Sequence, residues 1–281
     1  RGLNEARISG VRASRGDYIL FVDGDDILTR DAIENLRMEA ARTQADIVTA
    51  PLLRWRPDNN TFADYPGTGE AFPNDYIKRL EVALSAYRSF TMCGRLFRRS
   101  LTADGATLSL APGQLHEDMT TFVRLLFKAK TIAHVRYPIY YYIVNPASIT
   151  ARFSSKHAVG MLSAIEDWIK CAIDAGVYEQ VSRAAAVGAE RMIRGCVERC
   201  VFTPGLSEEQ RIDILDFLHT KWTGLQLPHI APSLAATKFL AQFSQKALSA
   251  QPGLLAQNLS QFYPDGVPAH MKPTPAFKHG L

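Results

Sequence analysis

Residues 16–26 read Gly-Asp-Tyr-Ile-Leu-Phe-Val-Asp-Gly-Asp-Asp, an apolar run that ends directly in an acidic turn. The continuous run 18–22 is rich in aliphatic and aromatic side chains, which is typical of a strand buried on both faces. Three carboxylates, Asp23, Asp25 and Asp26, stand at the carboxyl end of that strand. Like charges crowded together repel one another unless a cation or hydrogen bonds offset them.

The acidic turn has two interpretations. Carboxylates are hard oxygen ligands that suit Mg²⁺ or Mn²⁺, and α/β sheets bind ligands at the carboxyl ends of their strands. The alternative is an ordinary Asp-Gly turn in which Asp26 helps to start the next helix. A calcium-binding EF-hand is excluded, because counting from Asp23 places Leu28 where that loop requires glycine.

Helical and strand patterns alternate around this turn. Apolar spacing predicts a helix over residues 3–13 and a second helix that is capped by Thr29 and ends near Arg42. Residues 46–50 form the next strand pattern, so an α/β sheet with a right-handed crossover is expected. Residues 51–73 are rich in Pro, Asn, Asp, Gly and Thr, which predicts a loop outside the core.

The remaining patterns are strongest at a helix that begins at Glu117 and keeps one apolar face. Another helix is predicted over residues 76–87, and strands over 132–135 and 139–144. Beyond Phe153 the pattern is helical, and a Pro-rich stretch closes the chain. Four helices are predicted there: one that includes residues 159–173, one over 178–201, one that begins at the capping box of Ser207 and Gln210, and one over 233–248.

Composition excludes several classes of protein. The 281 residues are 47% hydrophobic and 21% charged with a net charge of +4, which is ordinary for a globular protein. Basic and acidic residues are balanced on both sides of Arg152, so no nucleic-acid partner is expected. The longest mainly apolar stretch, residues 139–144, is far shorter than the roughly 20 residues of a membrane-spanning helix.

The cysteines favour a reducing environment. No C-x-x-C spacing occurs and no signal-like apolar segment follows Arg1, so we expect a cytoplasmic location. Cys196 and Cys200 lie four residues apart without a second ligand pair nearby, which favours buried thiols over zinc ligands. The chain begins without Met, which suggests that it is the rest of something longer.

Glu117 and Asp118 lie in the first turn of the most amphipathic helix. The helix macrodipole favours their ionised forms there, which is one sufficient reason for their presence. An ionised carboxylate on a rigid helix can also act as a general base. The pair alone does not decide between these two roles.

The ordered set of motifs is more specific than any one of them, and it resembles a bacterial family 2 glycosyltransferase of the GT-A fold. The resemblance covers about the first 150 residues. It is carried by residues 2–7 with Gly10, residues 16–26, residues 93–97, the Glu117-Asp118 pair, and residues 138–142 with 148–150.

The resemblance implies a donor site. In that family the Asp-x-Asp motif binds a nucleotide-sugar through a divalent metal, Mn²⁺ or Mg²⁺, and the donor is most simply a UDP-sugar. The resemblance implies that Asp25 contacts the metal and the diphosphate, and that Asp23 contacts either the ribose side or the shared metal. Asp26 and Arg7 are implied to belong to the donor site. Arg152 is placed to close over the diphosphate and His157 to add a metal contact, although surface positions are more usual for both residue types.

The resemblance also implies the reaction. The Glu117-Asp118 pair supplies the base, with Asp118 taking the proton of an acceptor hydroxyl in a single inverting displacement. Cys93 is implied to be a packed small residue near the donor sugar. Ile8 stands where the family commonly has Asn, which weakens the role carried over to Arg7.

The implied organisation is a GT-A mixed sheet flanked by helices over residues 1–152, a helical region over 153–250 and a Pro-rich tail over 251–281. The family's first strands have no counterpart and would precede Arg1, so we expect a fragment or a degenerate copy. A degenerate copy would be a non-catalytic remnant that binds a partner, and this is the main alternative to an enzyme. A phosphotransferase is disfavoured because no Gly-rich loop with Lys is present.

The expected acceptor is a glycan or a lipid-linked hydroxyl in cell-surface or capsular polysaccharide synthesis. Processive synthases are a poor match, since no Gln-x-x-Arg-Trp motif follows Asp118. We therefore expect a non-processive enzyme in the cytoplasm with peripheral contact to the inner face of the plasma membrane.

Overall fold

The computed structural model describes residues 2–85, 89–102, 107–110, 114–145, 153–202 and 205–224. The predicted helix 233–248, the tail 251–281 and Arg152 lie outside the described residues. The elements in chain order are α1 (Leu3–Ala13), β1 (Tyr18–Leu20), β2 (Ile27–Leu28), α2 (Ala32–Thr43), β3 (Ile47–Thr49), β4 (Leu52–Arg56), β5 (Thr61–Asp64), α3 (Tyr76–Leu84), β6 (Leu96–Arg98), α4 (Glu117–Lys128), β7 (Ile132–His134), β8 (Tyr140–Ile143), α5 (Ser155–Asp174), α6 (Tyr178–Phe202) and α7 (Glu208–Gly224).

The first mixed sheet has the strand order β1-β6-β3-β7. Strand β6 runs antiparallel to both β1 and β3, whereas β3 and β7 are parallel. The expectation that residues 18–22 are buried on both faces is wrong: Ile19 and Phe21 are buried, but Val22 is 45% exposed. The reason is position, since Val22 lies beyond the end of β1, where the chain turns into the acidic segment.

The second sheet has the order β2-β8-β4-β5 and corrects the loop expected over residues 51–73. Strands β4 and β5 form an antiparallel hairpin in which Trp55 pairs with Phe62. The hairpin turns at Asn60, which adopts a left-handed conformation with φ of 50°. Strand β4 then runs parallel to β8, which carries the aromatic residues of the apolar run 139–144.

The C-terminal helices pack on the α/β region. Helix α5 lies against α4, and α6 lies against α3 and α5. Their buried side chains join those of the sheets in one continuous core, which includes Phe122, Trp168 and Ile193. The capping box predicted before α7 is confirmed, because Ser207 N donates to Gln210 and Gln210 N donates to Ser207 Oγ.

The helix predicted after Thr29 begins three residues later. Asp31 occupies the N-cap position of α2 but does not cap it through its side chain.

Among the described helices, none combines the length and the apolar composition that crossing a bilayer requires.

Candidate active site

One cavity of about 580 Å³ brings together three segments that are far apart in the sequence. The turn after β1 contributes Asp23 and Asp25, the start of α4 contributes Glu117 and Asp118, and α1 contributes Arg7. The two acidic motifs singled out in the sequence therefore face the same space. The two motifs meet because β1 ends and α4 begins at the same side of the sheet.

The three carboxylates of the acidic turn differ in exposure and in hydrogen bonding. Asp25 is exposed and Asp23 is partly exposed, whereas Asp26 accepts hydrogen bonds on both of its carboxylate oxygens. The donors are the hydroxyl of the fully buried Tyr140 at 2.6 Å and the backbone N–H of Ile143 at 2.8 Å.

Burial raises the pKa of Asp26 in spite of these bonds. Tyr140 also accepts a hydrogen bond from the backbone N–H of Asp23, at 3.2 Å. Asp26 thus ties the acidic turn to β8 and leaves Asp23 and Asp25 facing the cavity.

Arg7 is the cation of the site. Its guanidinium Nη1 donates to Glu117 Oε1 at 2.9 Å and to Asp118 Oδ1 at 3.2 Å, while Nη2 lies 3.6 Å from Asp23 Oδ1. Only 7% of Arg7 is exposed. Burial lowers the pKa of this guanidinium, but the surrounding carboxylates of Asp118 and Glu117 outweigh burial and raise it. Arg7 therefore stays charged and joins the two acidic motifs.

Glu117 and Asp118 differ in environment. Glu117 is the more deeply buried, with 13% of its side chain exposed against 30% for Asp118. Burial, together with the adjacent charge of Asp118, raises the pKa of Glu117 to about 7. Before them His116 adopts a left-handed conformation with φ of 60°, which turns the chain into α4.

The raised pKa of Glu117 makes stability depend on pH. Between the ordinary value of 4.5 and about 7, the folded state keeps a proton on Glu117 that the unfolded chain has lost. The free energy of unfolding should therefore fall as pH rises through this window. Glu117→Gln, which mimics the protonated acid, should flatten that fall, as measured by urea unfolding at pH 5 and pH 7.5. Equal pH dependence in the two proteins would contradict this assignment.

Helix α5 supports the start of α4. A Cβ atom on Gly160 would lie 2.2 Å from the carbonyl oxygen of Leu115, so only glycine permits this approach. The indole N–H of Trp168 donates to the carbonyl of Met119 at 3.0 Å. Contacts from α5 therefore support the segment that carries Glu117 and Asp118.

Gly160→Ala is expected to destabilise the protein, because the new methyl group must displace the backbone at Leu115. Overpacking of this kind typically costs about 1–3 kcal/mol. The matched control is Gly195→Ala in α6, where no neighbouring atom lies within 4 Å of the added carbon. Alanine there should raise stability by about 0.5–1 kcal/mol through helix propensity. Thermal unfolding should therefore separate the two variants by several degrees, with Gly160→Ala lower.

The other residues named from the sequence lie away from the cavity lining or play structural roles. Cys93 is buried, and burial raises the pKa of its thiol. The interpretation of Cys196 and Cys200 as buried thiols is confirmed. The expected surface position of His157 is wrong, since it is buried at the start of α5, where Ser154 N donates to its Nδ1.

Sequence reasoning missed part of the lining. Tyr65 lies in the segment predicted as a loop, and Phe90 lies in a stretch without a clear pattern. The signal for Tyr65 was present, because two short strand patterns separated by the four residues 57–60, Pro-Asp-Asn-Asn, are typical of a hairpin. Tyr142 was quoted for its strand and not for a place in the site.

The residues present fit a divalent cation that is shared with a substrate. No group of three or more His, Cys, Asp or Glu side chains suited to a metal occurs within the described ranges. Mg²⁺ characteristically binds through one or two carboxylates together with substrate phosphates, and does not need an all-protein cage. Asp25 and Asp23 supply two such carboxylates at the cavity, and Asp25 accepts no hydrogen bond from another described residue.

The comparison with known protein families matches the part of the chain that contains Arg7 and the acidic turn. Residues 1–104 match the family model described as glycosyl transferase family 2. Residues 1–104 are therefore similar to a family 2 glycosyltransferase domain. The matched part of the domain contains Arg7 and the acidic turn, whereas Glu117 and Asp118 follow it.

Two curated proteins that the chain resembles come from Bacillus subtilis (strain 168). The chain is 28% identical over 170 residues to EpsH and 29% identical over 153 residues to EpsJ, both named as glycosyltransferases. These matches cover 56% and 53% of this chain, and 46% and 44% of the relatives. The chain thus spans about half the length of the curated relatives it matches.

Solved structures show the fold of the domain. The crystal structure of S. aureus TarS 1-349 in complex with UDP-GlcNAc has a TM-score of 0.68 at 13% identity, and the match covers 94% of this chain and 73% of the TarS 1-349 chain. The complex of TarS 1-349 with UDP has a TM-score of 0.66 at 15% identity, and the match covers 92% of this chain and 71% of the TarS 1-349 chain. The mixed sheets with flanking helices and the helical C-terminal region are thus those of a GT-A protein.

Proposed function

We propose that this chain transfers a sugar from a nucleotide-diphosphate donor to a hydroxyl of a glycan or lipid-linked acceptor, with inversion at the anomeric carbon. The observation that carries the proposal is the single cavity where the acidic turn and the Glu117-Asp118 pair meet across Arg7. The family match and the names of EpsH and EpsJ support glycosyl transfer. The UDP-GlcNAc and UDP complexes of TarS support a UDP-sugar as donor.

Asp118 is the general base in this reaction. It is more exposed than Glu117 and lies at the head of a rigid helix, where the macrodipole favours the ionised carboxylate. Asp118 removes the proton of the acceptor hydroxyl while the acceptor oxygen forms its bond to the anomeric carbon. The bond from that carbon to the diphosphate oxygen breaks in the same step, so one displacement inverts the configuration.

Arg7 and Glu117 position the base. The guanidinium of Arg7 holds both carboxyl groups in one orientation and neutralises part of their charge. Burial raises the pKa of Glu117 to about 7, and a protonated Glu117 limits the repulsion inside the pair. Asp118 is thereby held at the cavity, where the acceptor would bind.

Asp25 and Asp23 would hold Mn²⁺ or Mg²⁺ together with oxygens of the donor diphosphate. Such an ion supplies positive charge that stabilises a leaving nucleoside diphosphate. Hard carboxylate oxygens in a cavity of this size support that choice of metal. Asp26 keeps the turn in place through Tyr140 and Ile143.

The proposed setting is cell-surface or capsular polysaccharide synthesis in the cytoplasm, at the inner face of the plasma membrane. A lipid-linked acceptor would be presented at that face. The buried, unpaired thiols among the described residues are compatible with a reducing compartment.

Titration of UDP with Mn²⁺ into the chain and into Asp25→Ala tests the donor site. The wild-type chain should bind UDP only with the metal, and Asp25→Ala should weaken this binding at least about 10-fold through loss of a metal ligand. Asp58→Ala is the matched control, since Asp58 is another exposed turn aspartate and does not line the cavity. Equal binding by Asp25→Ala would contradict the assigned site. Absence of UDP binding in every variant would instead favour a non-catalytic module that binds a partner.

A further inference from the structure

The cavity has a second group of lining residues that the proposed transfer does not yet use. Tyr65, Phe90 and Tyr142 add aromatic surface to the space that contains Asp118. Pockets for small molecules commonly combine such apolar surface with a few polar groups that fix orientation. This aromatic surface is therefore suited to bind a second ligand group.

Tyr65 and Tyr142 are held as a rigid pair. The backbone N–H of Tyr65 donates to the carbonyl of Leu52 at 2.8 Å, and Tyr142 lies opposite Arg54 in the ladder between β8 and β4. The two ring centroids are 5.3 Å apart with planes at 83°, an edge-to-face arrangement. The Arg54 guanidinium lies 4.9 Å from the centre of the Tyr65 ring. These contacts fix the orientation of the pair before any ligand binds.

The Tyr65 hydroxyl lies within the electrostatic influence of the base. Burial raises the pKa of Tyr65 to about 12, and the nearby Tyr142 and Asp118 add to this effect. Within the described residues the hydroxyl has no hydrogen-bond partner. It is therefore a polar group available to a ligand beside Asp118.

The charge of the cavity selects the chemistry of that ligand. Four carboxylates and one guanidinium are among its lining residues, and the guanidinium of Arg7 is already engaged by three of the carboxylates. Burial lowers the pKa of His116 to about 4, so this lining histidine is neutral at pH 7. A phosphate or carboxylate group on the acceptor would meet repulsion without a free cation among the described lining residues.

We propose that Tyr65 and Tyr142 form an acceptor subsite for an uncharged sugar residue of a glycan, and that they hold one of its hydroxyls near Asp118. A sugar ring offers C–H groups to the aromatic surface and hydroxyls to the Tyr65 oxygen. This assignment rests on the proposed function and narrows its acceptor from any glycan or lipid-linked hydroxyl to a neutral saccharide.

The test measures glycan retention by the full chain in the presence of Mn²⁺ and UDP. One probe is a pool of uncharged oligosaccharides, and the other is the same pool phosphorylated at primary hydroxyls. Retained glycans are quantified by mass spectrometry for the wild type, Tyr65→Ala, Tyr142→Ala and Tyr65→Phe. Tyr137→Ala is the control, because Tyr137 is 51% exposed and does not line the cavity.

The wild type and Tyr137→Ala should retain the uncharged pool at least about 10-fold better than the phosphorylated pool. Tyr65→Ala and Tyr142→Ala should each lower this retention about 10-fold. Tyr65→Phe keeps the ring and should lower it about 3-fold through loss of one hydrogen bond.

Preferential retention of the phosphorylated pool would overturn the subsite, as would full retention of the uncharged pool by both alanine variants. Retention of neither pool by a chain that binds UDP would also overturn it, while leaving the donor site intact. A chain that binds neither UDP nor glycan would contradict the proposed function itself, and the subsite with it.

Discussion

Asp118→Asn is expected to lower the rate of sugar transfer by about 10²–10⁴-fold, the range typical of a general base. The asparagine amide is close in shape to the carboxylate, but at neutral pH it does not take up the proton of the acceptor hydroxyl. The first turn of α4 would lose one favourable charge, and Arg7 would lose the charge of one of its partners, which together cost about 1–2 kcal/mol of stability. Transfer rate and thermal unfolding, measured on the same preparation, separate the two effects.

Asp75→Asn is the matched control for this variant. Asp75 begins α3 and accepts a hydrogen bond from the backbone N–H of Lys78 at 2.8 Å, so its carboxylate serves only a helix start. Asparagine is also a good N-cap, and both rate and stability should change little. If Asp118→Asn behaved like Asp75→Asn, the Glu117-Asp118 pair would serve the helix macrodipole alone.

Arg7→Met is expected to lower both activity and stability. It removes the cation that faces Glu117, Asp118 and Asp23, and leaves three carboxylates close together. Loss of one partner from a fully buried ion pair costs about 3–5 kcal/mol, and exposed pairs contribute about 0–1 kcal/mol. The partial exposure of the carboxylates places the expected loss at about 2 kcal/mol. The loss should be larger at pH 8 than at pH 5, because more of the carboxylate charge is then ionised.

Two companion variants sharpen the measurement. Arg7→Lys keeps one positive charge but not the planar fork that reaches several carboxylates, so an intermediate stability and rate are expected. Arg12→Met removes an exposed arginine from the same helix and should change neither quantity appreciably. Urea unfolding at the two pH values reads out the comparison. A loss in Arg7→Met no greater than in Arg12→Met would show that the buried contacts carry no net energy.

The sequence was sufficient for the elements with a strong local pattern. The helix predicted over residues 3–13 is α1, and the helix that begins at Glu117 is α4. The apolar periodicity is clear in α4 and weaker in α1, where the buried residue is Arg7. Periodicity depends only on neighbouring residues. The hairpin of β4 and β5 was missed because its polar turn residues dominate the composition, although its strands alternate as strands should.

The candidate site shows the same division. Asp23, Asp25, Glu117 and Asp118 were identified from local motifs, and their shared cavity is in accord with the implied donor and base sites. Arg7 was assigned to the donor from the resemblance alone, whereas the structure places its guanidinium between the two acidic motifs. Asp26 was assigned to the donor site together with Asp23 and Asp25, yet both of its carboxylate oxygens accept hydrogen bonds from β8.

The sequence by itself determined the α/β alternation, the order of the motifs and the chemical types of the acidic residues, because these follow from local pattern and composition. The GT-A fold was implied by the resemblance that the ordered motifs carry. Only the tertiary structure decided that α5 supports the start of α4, that Arg7 joins three carboxylates, and that Tyr65 and Tyr142 share the cavity with Asp118. Each of these contacts links residues tens of positions apart. Their proximity is set by strand register and by the close packing of helices around a common core, which no local periodicity encodes.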